Sequence, residues 1–139
     1  MKILIAADGS KYTKRMLAYL AARDEWREGH DYTVLYCVAA VPHRAAAFAG
    51  ADRVRDFYND DAATVFRPIR SFFEKQGIPA RFVHKIGPAA EHIAKLAERG
   101  KFDLLVMGTH GHGALGNLVL GSVTTKVLAL SSTPVLLVR

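Results

Sequence analysis

Short apolar segments alternate along the chain with stretches that have helical periodicity. Four of the five segments are almost continuous apolar runs, which is typical of strands that helices cover on both faces. The third mixes arginine, histidine and lysine into its pattern, so we expect it at an edge of the sheet. The alternation predicts one α/β domain with a parallel sheet. The predicted strands cover residues 3–7, 33–38, 81–86, 104–107 and 135–138.

Four helices are predicted between these strands. Ser10 suits the N-cap of the first helix, because its hydroxyl can accept from a free backbone N–H. Pro68 lies inside the second helix and is expected to kink or restart it, since proline lacks the N–H that the helix needs. The predicted helices cover about residues 10–25, 54–76 and 87–100, with the fourth beginning at 121.

The glycine-rich segment after the fourth predicted strand carries the clearest chemical signal. Gly108 and Gly111 are followed, after nine residues, by Gly121 and Ser122, which open a helical pattern. Glycine has no Cβ atom, so it can take positive φ and lets backbone N–H groups approach an anion. The first turn of a helix also leaves several N–H groups unpaired. The segment therefore predicts a phosphate site, with a nucleotide as the ligand.

Two common nucleotide-binding motifs do not fit this spacing. A P-loop requires lysine and then serine or threonine directly after its last glycine, but Gly121 is followed by Ser122 and Val123. A Rossmann fingerprint places closely spaced glycines after the first strand, where this chain has a single glycine, Gly9. The predicted phosphate loop is therefore of a different type.

Composition limits the partners that we expect. A chain of 139 residues with 50% hydrophobic content suits one globular domain. No apolar run approaches the ~18 residues that cross a bilayer, and the first residues already form a predicted strand, so we expect a cytoplasmic protein without a membrane partner. The net charge is +6, but the basic residues are scattered and not interleaved with aromatic ones, so no specific nucleic-acid partner is predicted. Cys37 is the only cysteine and is expected to be a small buried hydrophobic residue.

The glycine spacing, the segment from Ile5 through Asp8 to Ser10 and the closing segment 132–138 together resemble the universal stress protein family. The resemblance covers nearly the whole chain, and the glycine spacing is the form associated with members that bind ATP. It implies a doubly wound five-stranded parallel sheet in the order 3-2-1-4-5, with the ligand between the first and fourth strands. Residues 39–61 carry no signal of the family.

The resemblance also implies roles for single residues. Asp8 is similar to the position that contacts the ribose or a bound Mg or Mn ion, although its turn sequence would also suit a cap on the first helix. Val38 is similar to the position whose backbone contacts adenine. The other nucleotide contacts implied are Ala7, Met107, Gly108, His110, Gly111, Gly121, Ser122 and Val123. The edge position of the last strand, together with the resemblance, predicts a homodimer through that strand. A further, unknown protein partner is also expected.

No catalytic residue is predicted. His110 and His112 would lie beside the phosphates, but two histidines without a third ligand make a weak metal site. They are expected to be exposed loop residues, with a polar contact to the nucleotide at most. The sequence has no Asp or Glu between Gly108 and Ser122 that could act as a general base. We therefore expect slow hydrolysis of ATP or none.

The sequence predicts an ATP-binding stress-response or signalling module in which the nucleotide sets conformation or partner choice. Two alternatives stay open. One is an adenine-nucleotide-dependent enzyme, a slow ATPase or an adenylating enzyme, with catalytic groups supplied by the segment around His43, Arg44 and Asp52. The other is a dimeric interaction module that binds no nucleotide.

Overall fold

The computed structural model describes residues 1–113 and 117–139. The strands are β1 (Lys2–Ala6), β2 (Asp31–Val38), β3 (Ala80–Ile86), β4 (Leu104–Gly108) and β5 (Val135–Val138). The helices are α1 (Lys11–Ala21), α2 (His43–Ala49), α3 (Ala51–Gln76), α4 (Ala89–Arg99) and α5 (Ser122–Leu130). A short 3-10 turn covers Asp24–Trp26.

All strand pairs are parallel, and the sheet order is β3-β2-β1-β4-β5. This is the predicted doubly wound order, with β3 at one edge and β5 at the other. The central strand β1 pairs through Leu4 with Thr33 of β2 and with Leu105 of β4. Because neighbours cover it on both sides and helices on both faces, residues 3–5 have no exposed surface, which explains their continuous apolar run.

Alternate residues of the strands serve two hydrophobic cores, one on each face of the sheet. Ile3 and Ile5 belong to the core that α1 and α3 cover, whereas Leu4 belongs to the core that α4 and α5 cover. The first core is the more aromatic of the two. It includes Tyr32, Phe66 and Phe73, while the largest buried helical side chains of the second are Ile93 and Val127. The smaller side chains of the second face leave room near the sheet's carboxyl edge.

The first helix ends earlier than the sequence predicts. α1 stops at Ala21 rather than near residue 25, and Arg23 takes an extended conformation with φ of −135°. The 3-10 turn that follows packs Trp26 against the core, and the hydroxyl of Tyr32 donates to the carbonyl of Trp26 at 2.6 Å. The chain turns here because it must return to the start of β2.

The segment that lacks a family signal is helical. It forms α2 and the first part of α3, and Gly50, with φ of +90°, separates the two helices. The expectation that Pro68 would restart a helix is wrong, since α3 continues through it for 26 residues. Pro68 has no N–H to donate to the carbonyl of Thr64, four residues earlier in the helix. Both residues are exposed, so water can bond to that carbonyl instead. No helix in the described part of the chain has the length and apolar character needed to span a membrane.

Candidate functional site

The carboxyl ends of β1 and β4 open into a cavity of about 450 Å³. The chain leaves β1 for α1 on one face of the sheet and leaves β4 for α5 on the other, which creates the crevice where parallel sheets bind ligands. Pockets of ~300–1,000 Å³ are typical of small-molecule sites. One end is polar and is formed by the Asp8 turn, the start of α5 and part of the glycine loop. This loop comprises residues 108–113 and 117–121, of which 108, 110–113, 118 and 121 line the cavity. The other end is apolar and includes Leu35, Cys37, Ala89, Ile93 and Met107.

The two carboxylate oxygens of Asp8 have different surroundings. Its Oδ1 accepts from the N–H of Ser10 at 2.9 Å and from the hydroxyl of Thr13 at 3.0 Å. Ser10 in turn caps α1, as predicted, by accepting from the N–H of Tyr12 at 3.2 Å. The other oxygen, Oδ2, faces the glycine loop, because a Cβ atom added to Gly111 would lie 2.5 Å from it. The turn role and the proposed ligand role therefore use different oxygens.

The three glycines of the predicted motif are needed for space and not for unusual backbone angles. None of Gly108, Gly111 and Gly121 has positive φ, which corrects the expectation from the sequence. A Cβ on Gly108 would lie 2.7 Å from Cβ of Tyr12, and one on Gly121 would lie 3.2 Å from Cα of His110. The loop can therefore fold tightly against α1 and β4 only without these side chains.

The start of α5 presents free N–H groups to the cavity. Gly121 is the N-cap and has no side chain to accept from them, and the first helical bond runs from the N–H of Thr125 to Gly121 at 3.0 Å. The N–H groups of the residues between them, Ser122, Val123 and Thr124, have no intrahelical acceptor, and all three residues line the cavity. With the positive end of the helix dipole, they form a site suited to an anion.

The two loop histidines have structural contacts. His110 is half-buried, and its Nε2 donates to the carbonyl of Leu118 at 2.7 Å while Nδ1 lies 2.9 Å from the hydroxyl of Thr109. The expectation that His110 is an exposed loop residue is therefore wrong. His112 is exposed, and its Nε2 donates to the carbonyl of Asp8 at 2.8 Å. These contacts fasten the glycine loop to itself and to the β1–α1 turn.

Tyr36 and Cys37 of β2 both line the cavity, but the Tyr36 side chain packs with the core under α1 and α3 and the Cys37 thiol with the core under α4 and α5. Burial raises the pKa of the Cys37 thiol to about 11, although the charge of Lys85 acts in the opposite direction. The hydroxyl of Tyr36 donates to Asp61 of α3 at 2.7 Å. Burial and this hydrogen bond raise the pKa of Tyr36 well above its usual range. The Cys37 thiol, with its raised pKa, is neutral near pH 7, which suits contact with an uncharged ring.

The structure brings most of the predicted site residues together. Val38 is the exception, because its side chain is buried in the core under α1 and α3 and its carbonyl accepts from the N–H of Gly87. Its backbone contact with adenine stays a prediction. The predicted residues that line the cavity are Ala7, Asp8, Met107, Gly108, His110, Gly111, Gly121, Ser122 and Val123. Part of the nine-residue stretch between Gly111 and Gly121, namely 114–116, lies outside the described residues.

Sequence reasoning did not find several residues of the cavity. Tyr12 and Thr13 of α1 line it, as do Ala89 and Ile93 of α4. The spacing of Thr13 from Asp8 could have indicated their hydrogen bond, whereas the apolar face of α4 gives no signal that separates a ligand contact from ordinary core. His43, Arg44 and Asp52 are the possible catalytic groups of the alternative enzyme function. They lie on α2 and the first turn of α3 and are not among the described residues that line the cavity.

A metal ion fits this site only together with an anionic ligand. In residues 1–113 and 117–139, no group of three or more His, Cys, Asp and Glu side chains could hold a metal. Asp8 is the carboxylate in the described cavity wall. Mg²⁺ usually keeps several waters and binds through one or two carboxylates plus the phosphates of its ligand. Oδ2 of Asp8 suits one such position, and the phosphates would have to supply others.

The model of the "Universal stress protein family" matches residues 1–139 of the chain. A universal stress protein of Thermus aquaticus is 33% identical over 138 residues, which cover 99% of this chain and 97% of the relative. Slr1230, a universal stress protein of Synechocystis, is 29% identical over 99% of this chain, but the chain spans only 42% of its length.

Solved structures share the fold. The structure of MJ0577, a protein of Methanocaldococcus jannaschii, has a TM-score of 0.82 at 26% identity, with 99% of this chain and 94% of that chain covered. A universal stress protein in complex with cAMP has a TM-score of 0.71 at 22% identity, with 100% and 97% covered. A family protein of Arabidopsis thaliana with AMP bound has a TM-score of 0.70 at 15% identity, with 99% and 90% covered.

Proposed function

Because this chain belongs to the universal stress protein family, we propose that it is a nucleotide-binding module that holds ATP with Mg or Mn in the cavity beside β1 and β4. The bound nucleotide sets conformation or the choice of a protein partner, and hydrolysis is slow or absent. The cytoplasmic location stays a prediction from the sequence.

One observation carries the proposal: the glycine loop and the uncapped start of α5 lie at the polar end of a cavity whose other end is apolar and neutral. A nucleotide has the same division between charged phosphates and an uncharged base. The N–H groups at the start of α5 suit the phosphates. Cys37, Ala89 and Ile93 offer an apolar wall to the base. Oδ2 of Asp8 is left for a ribose hydroxyl or for the metal.

The choice of an adenine nucleotide has separate support. Structures with the same fold hold cAMP and AMP. Their identity to this chain is 15–22%, so they establish the fold, and the ligand of this chain is a proposal. The preference for ATP rests on the glycine spacing, which is complete here.

Slow hydrolysis follows from the groups at the polar end. An attacking water needs a general base close to the terminal phosphate. Asp8 is the carboxylate in the described wall, and one of its oxygens already accepts two hydrogen bonds. The segment that could have supplied other groups, around His43 and Asp52, has none of its residues in that wall. An adenylating or hydrolysing enzyme is therefore the less favoured function.

The first experiment identifies the ligand. The purified protein is denatured, and the released small molecules are analysed by mass spectrometry. ATP or ADP is expected in the released fraction. In parallel, calorimetry on protein freed of ligand should give micromolar or tighter binding of ATP with Mg²⁺, and about −8 kcal/mol corresponds to ~1 μM. Absence of binding by ATP and ADP at millimolar concentration would contradict the proposed function.

We also propose a homodimer through β5. This strand is an edge of the sheet, and the carbonyls of Pro134 and Val138 accept from an N–H group of β4 and from that of Thr109 directly after it. By the alternation of a parallel ladder, Val135 and Leu137 direct their N–H and carbonyl groups away from the sheet. Such unpaired groups can form an antiparallel pair with the same strand of a second copy around a two-fold axis.

The test of the dimer must separate backbone from side chain. The side chains of Val135 and Leu137 pack against the core that α4 and α5 cover, so charged substitutions there would disturb the domain itself. Leu137→Pro removes an outward N–H, whereas Leu137→Ala removes a similar amount of side chain and keeps the N–H. Light scattering should find wild type and Leu137→Ala dimeric and Leu137→Pro shifted to monomer. A monomeric wild type would contradict the proposal.

A further inference from the structure

Two basic side chains lie beside the polar end of the cavity. Lys11 and Arg15 are neighbours on one side of α1, and both stand close to the ring of Tyr12. Nζ of Lys11 is 5.4 Å from the ring centroid, and Cζ of Arg15 is 5.2 Å from it. The same ring lies 5.1 Å from the ring of His110, and both rings line the cavity. The two cations are therefore next to the mouth of the cavity on its glycine-loop side.

The charges around the cavity leave these cations available to an anion. The described cavity wall contains the carboxylate of Asp8 and no lysine or arginine. A nucleoside triphosphate keeps a net negative charge even with one divalent metal bound, and the partial charges at the start of α5 balance only part of it. The ion pairs found in the described part of the chain involve Arg27, Arg55 and Arg81, and neither Lys11 nor Arg15 is among them.

Helix electrostatics do not account for this placement. Cations are unfavourable at the N-terminal end of a helix, where the macrodipole is positive. Lys11 is the first residue of α1, and the first turn has no acidic residue. The carboxylate nearest in sequence, Asp8 before the N-cap, directs one oxygen to hydrogen bonds with its own turn and with α1, and its other oxygen is left for the ligand. Lys14 lies in the same turn and is also exposed, but it has no contact with the Tyr12 ring in the described structure. A bound anion would remove the cost for the two residues nearest the cavity.

We infer that Lys11 and Arg15 are specificity-determining residues, which favour a nucleoside di- or triphosphate over a nucleoside monophosphate. The inference rests on the proposed function and adds the class of its ligand. A first phosphate is held by backbone N–H groups inside the cavity. Further phosphates extend to the mouth, where two long side chains can approach them. The Coulombic attraction therefore acts mainly on the longer phosphate chains.

The test compares affinities for ATP and AMP, each with Mg²⁺, by calorimetry on the full chain. The double variant Lys11→Gln, Arg15→Gln keeps most of each aliphatic stem over Tyr12 and removes both charges. Lys14→Gln is the control, since it removes one positive charge from the same turn of the helix, at a side chain for which the described residues show no contact with the Tyr12 ring. We expect the double variant to lose roughly three- to tenfold in ATP affinity and less than twofold in AMP affinity. The difference from wild type should shrink as the KCl concentration rises.

Each outcome separates the inference from the proposed function. ATP affinity that is unchanged in the double variant would overturn the inference, as would an equal loss for ATP and AMP. An equal loss in Lys14→Gln would also overturn it, because net charge alone would then explain the effect. Wild type that binds neither nucleotide would overturn the proposed function itself. Unfolding temperatures should be unchanged or higher in all variants, so a loss of affinity would not reflect unfolding.

Discussion

At the carboxyl end of the sheet, β1 and β4 open into a cavity of about 450 Å³, whereas a space at the amino end, beside α1, α3 and β2, is about 10 Å³. The two ends differ in the residues that cover the strands. Trp26, Tyr32 and Phe73 fill the amino end, while the lining of the carboxyl-end cavity includes three alanines and four glycines.

The two ends also treat polar groups differently. At the amino end, the indole N–H of Trp26 is buried and has no hydrogen-bond partner in the described part of the chain. Burial raises the pKa of Tyr32 to about 12 there. At the carboxyl end, helix N–H groups line an open cavity. The amino end is therefore densely packed and leaves one buried donor, the indole N–H of Trp26, without a partner in the described part of the chain. At the carboxyl end, polar groups stay accessible to a ligand.

The largest effect is expected from Gly111→Val at the carboxyl end. The new Cβ would lie 2.5 Å from Oδ2 of Asp8, so either the carboxylate or the loop must move into the space of the phosphates. We predict that ATP binding falls below detection by calorimetry, a loss of about 4 kcal/mol if wild type binds at ~1 μM and the limit is ~1 mM. Gly121→Val should act in the same way.

The fold should survive these changes because the loop lies at the surface, and circular dichroism with thermal unfolding checks this. Gly108 is unsuitable for the experiment, since a Cβ there meets the backbone-proximal part of Tyr12 and would disturb α1. Gly111→Ala adds a single carbon and should give an intermediate affinity. ATP affinity in Gly111→Val within twofold of wild type would remove the glycine loop from the site.

Phe73→Ala is the corresponding change at the amino end. Phe73 is 3% exposed and packs edge-on against Phe72 and Phe82. Truncation should cost about 3–4 kcal/mol of unfolding free energy in urea, because it leaves a cavity in the aromatic core. Nucleotide affinity of the folded fraction should stay as in wild type. Phe57→Ala, on the exposed side of the same helix, should change stability by less than ~0.5 kcal/mol.

Ser122→Ala should have a smaller effect on binding than the glycine variants. Its hydroxyl is exposed at the first position of α5, where it can donate to a phosphate. Loss of one hydrogen bond to a charged group suggests a cost of about 1.5–3 kcal/mol in ATP affinity by calorimetry. Thr125→Ala is the control, because its hydroxyl already donates to the carbonyl of Gly121 at 2.9 Å. Equal affinity in Ser122→Ala and wild type would exclude this residue from the site.

The smallest effect is the protection of Cys37 from alkylation. Iodoacetamide reacts with the thiolate, and the pKa of about 11 keeps the thiol protonated at neutral pH. The rate in the folded protein should therefore keep rising to about pH 11, whereas in urea it should level off near the ordinary value of ~8.5. Saturating ATP should slow the reaction of the folded protein by roughly tenfold, because the bound base covers the thiol. A tenfold change corresponds to ~1.4 kcal/mol of free energy. Mass spectrometry follows this single cysteine, and equal rates with and without ATP would place the base elsewhere.

Much of the fold was predictable because runs of apolar residues along the chain indicate which segments are buried. The five strands lie within one or two residues of the predicted spans, since a strand buried on both faces must be apolar at consecutive positions. The sheet order came from the family resemblance, which rests on motifs and not on periodicity. Helix ends were less predictable. α1 ends where Trp26 finds space in the core, and α3 passes through Pro68 because that residue faces water.

The strands, the glycine loop and the position of Asp8 could be read from the chain alone, because each depends on residues that are close in sequence. Long-range packing places His112 against Asp8, 104 residues away, and sets the Tyr12 ring, with Lys11 and Arg15 beside it, at the mouth of the cavity. It also decided that Val38 lies in the core rather than in the cavity wall. The local pattern of apolar residues determines which residues are buried. Which helices and strands surround a buried residue depends on how distant segments of the chain pack, and a local pattern carries no information about this packing.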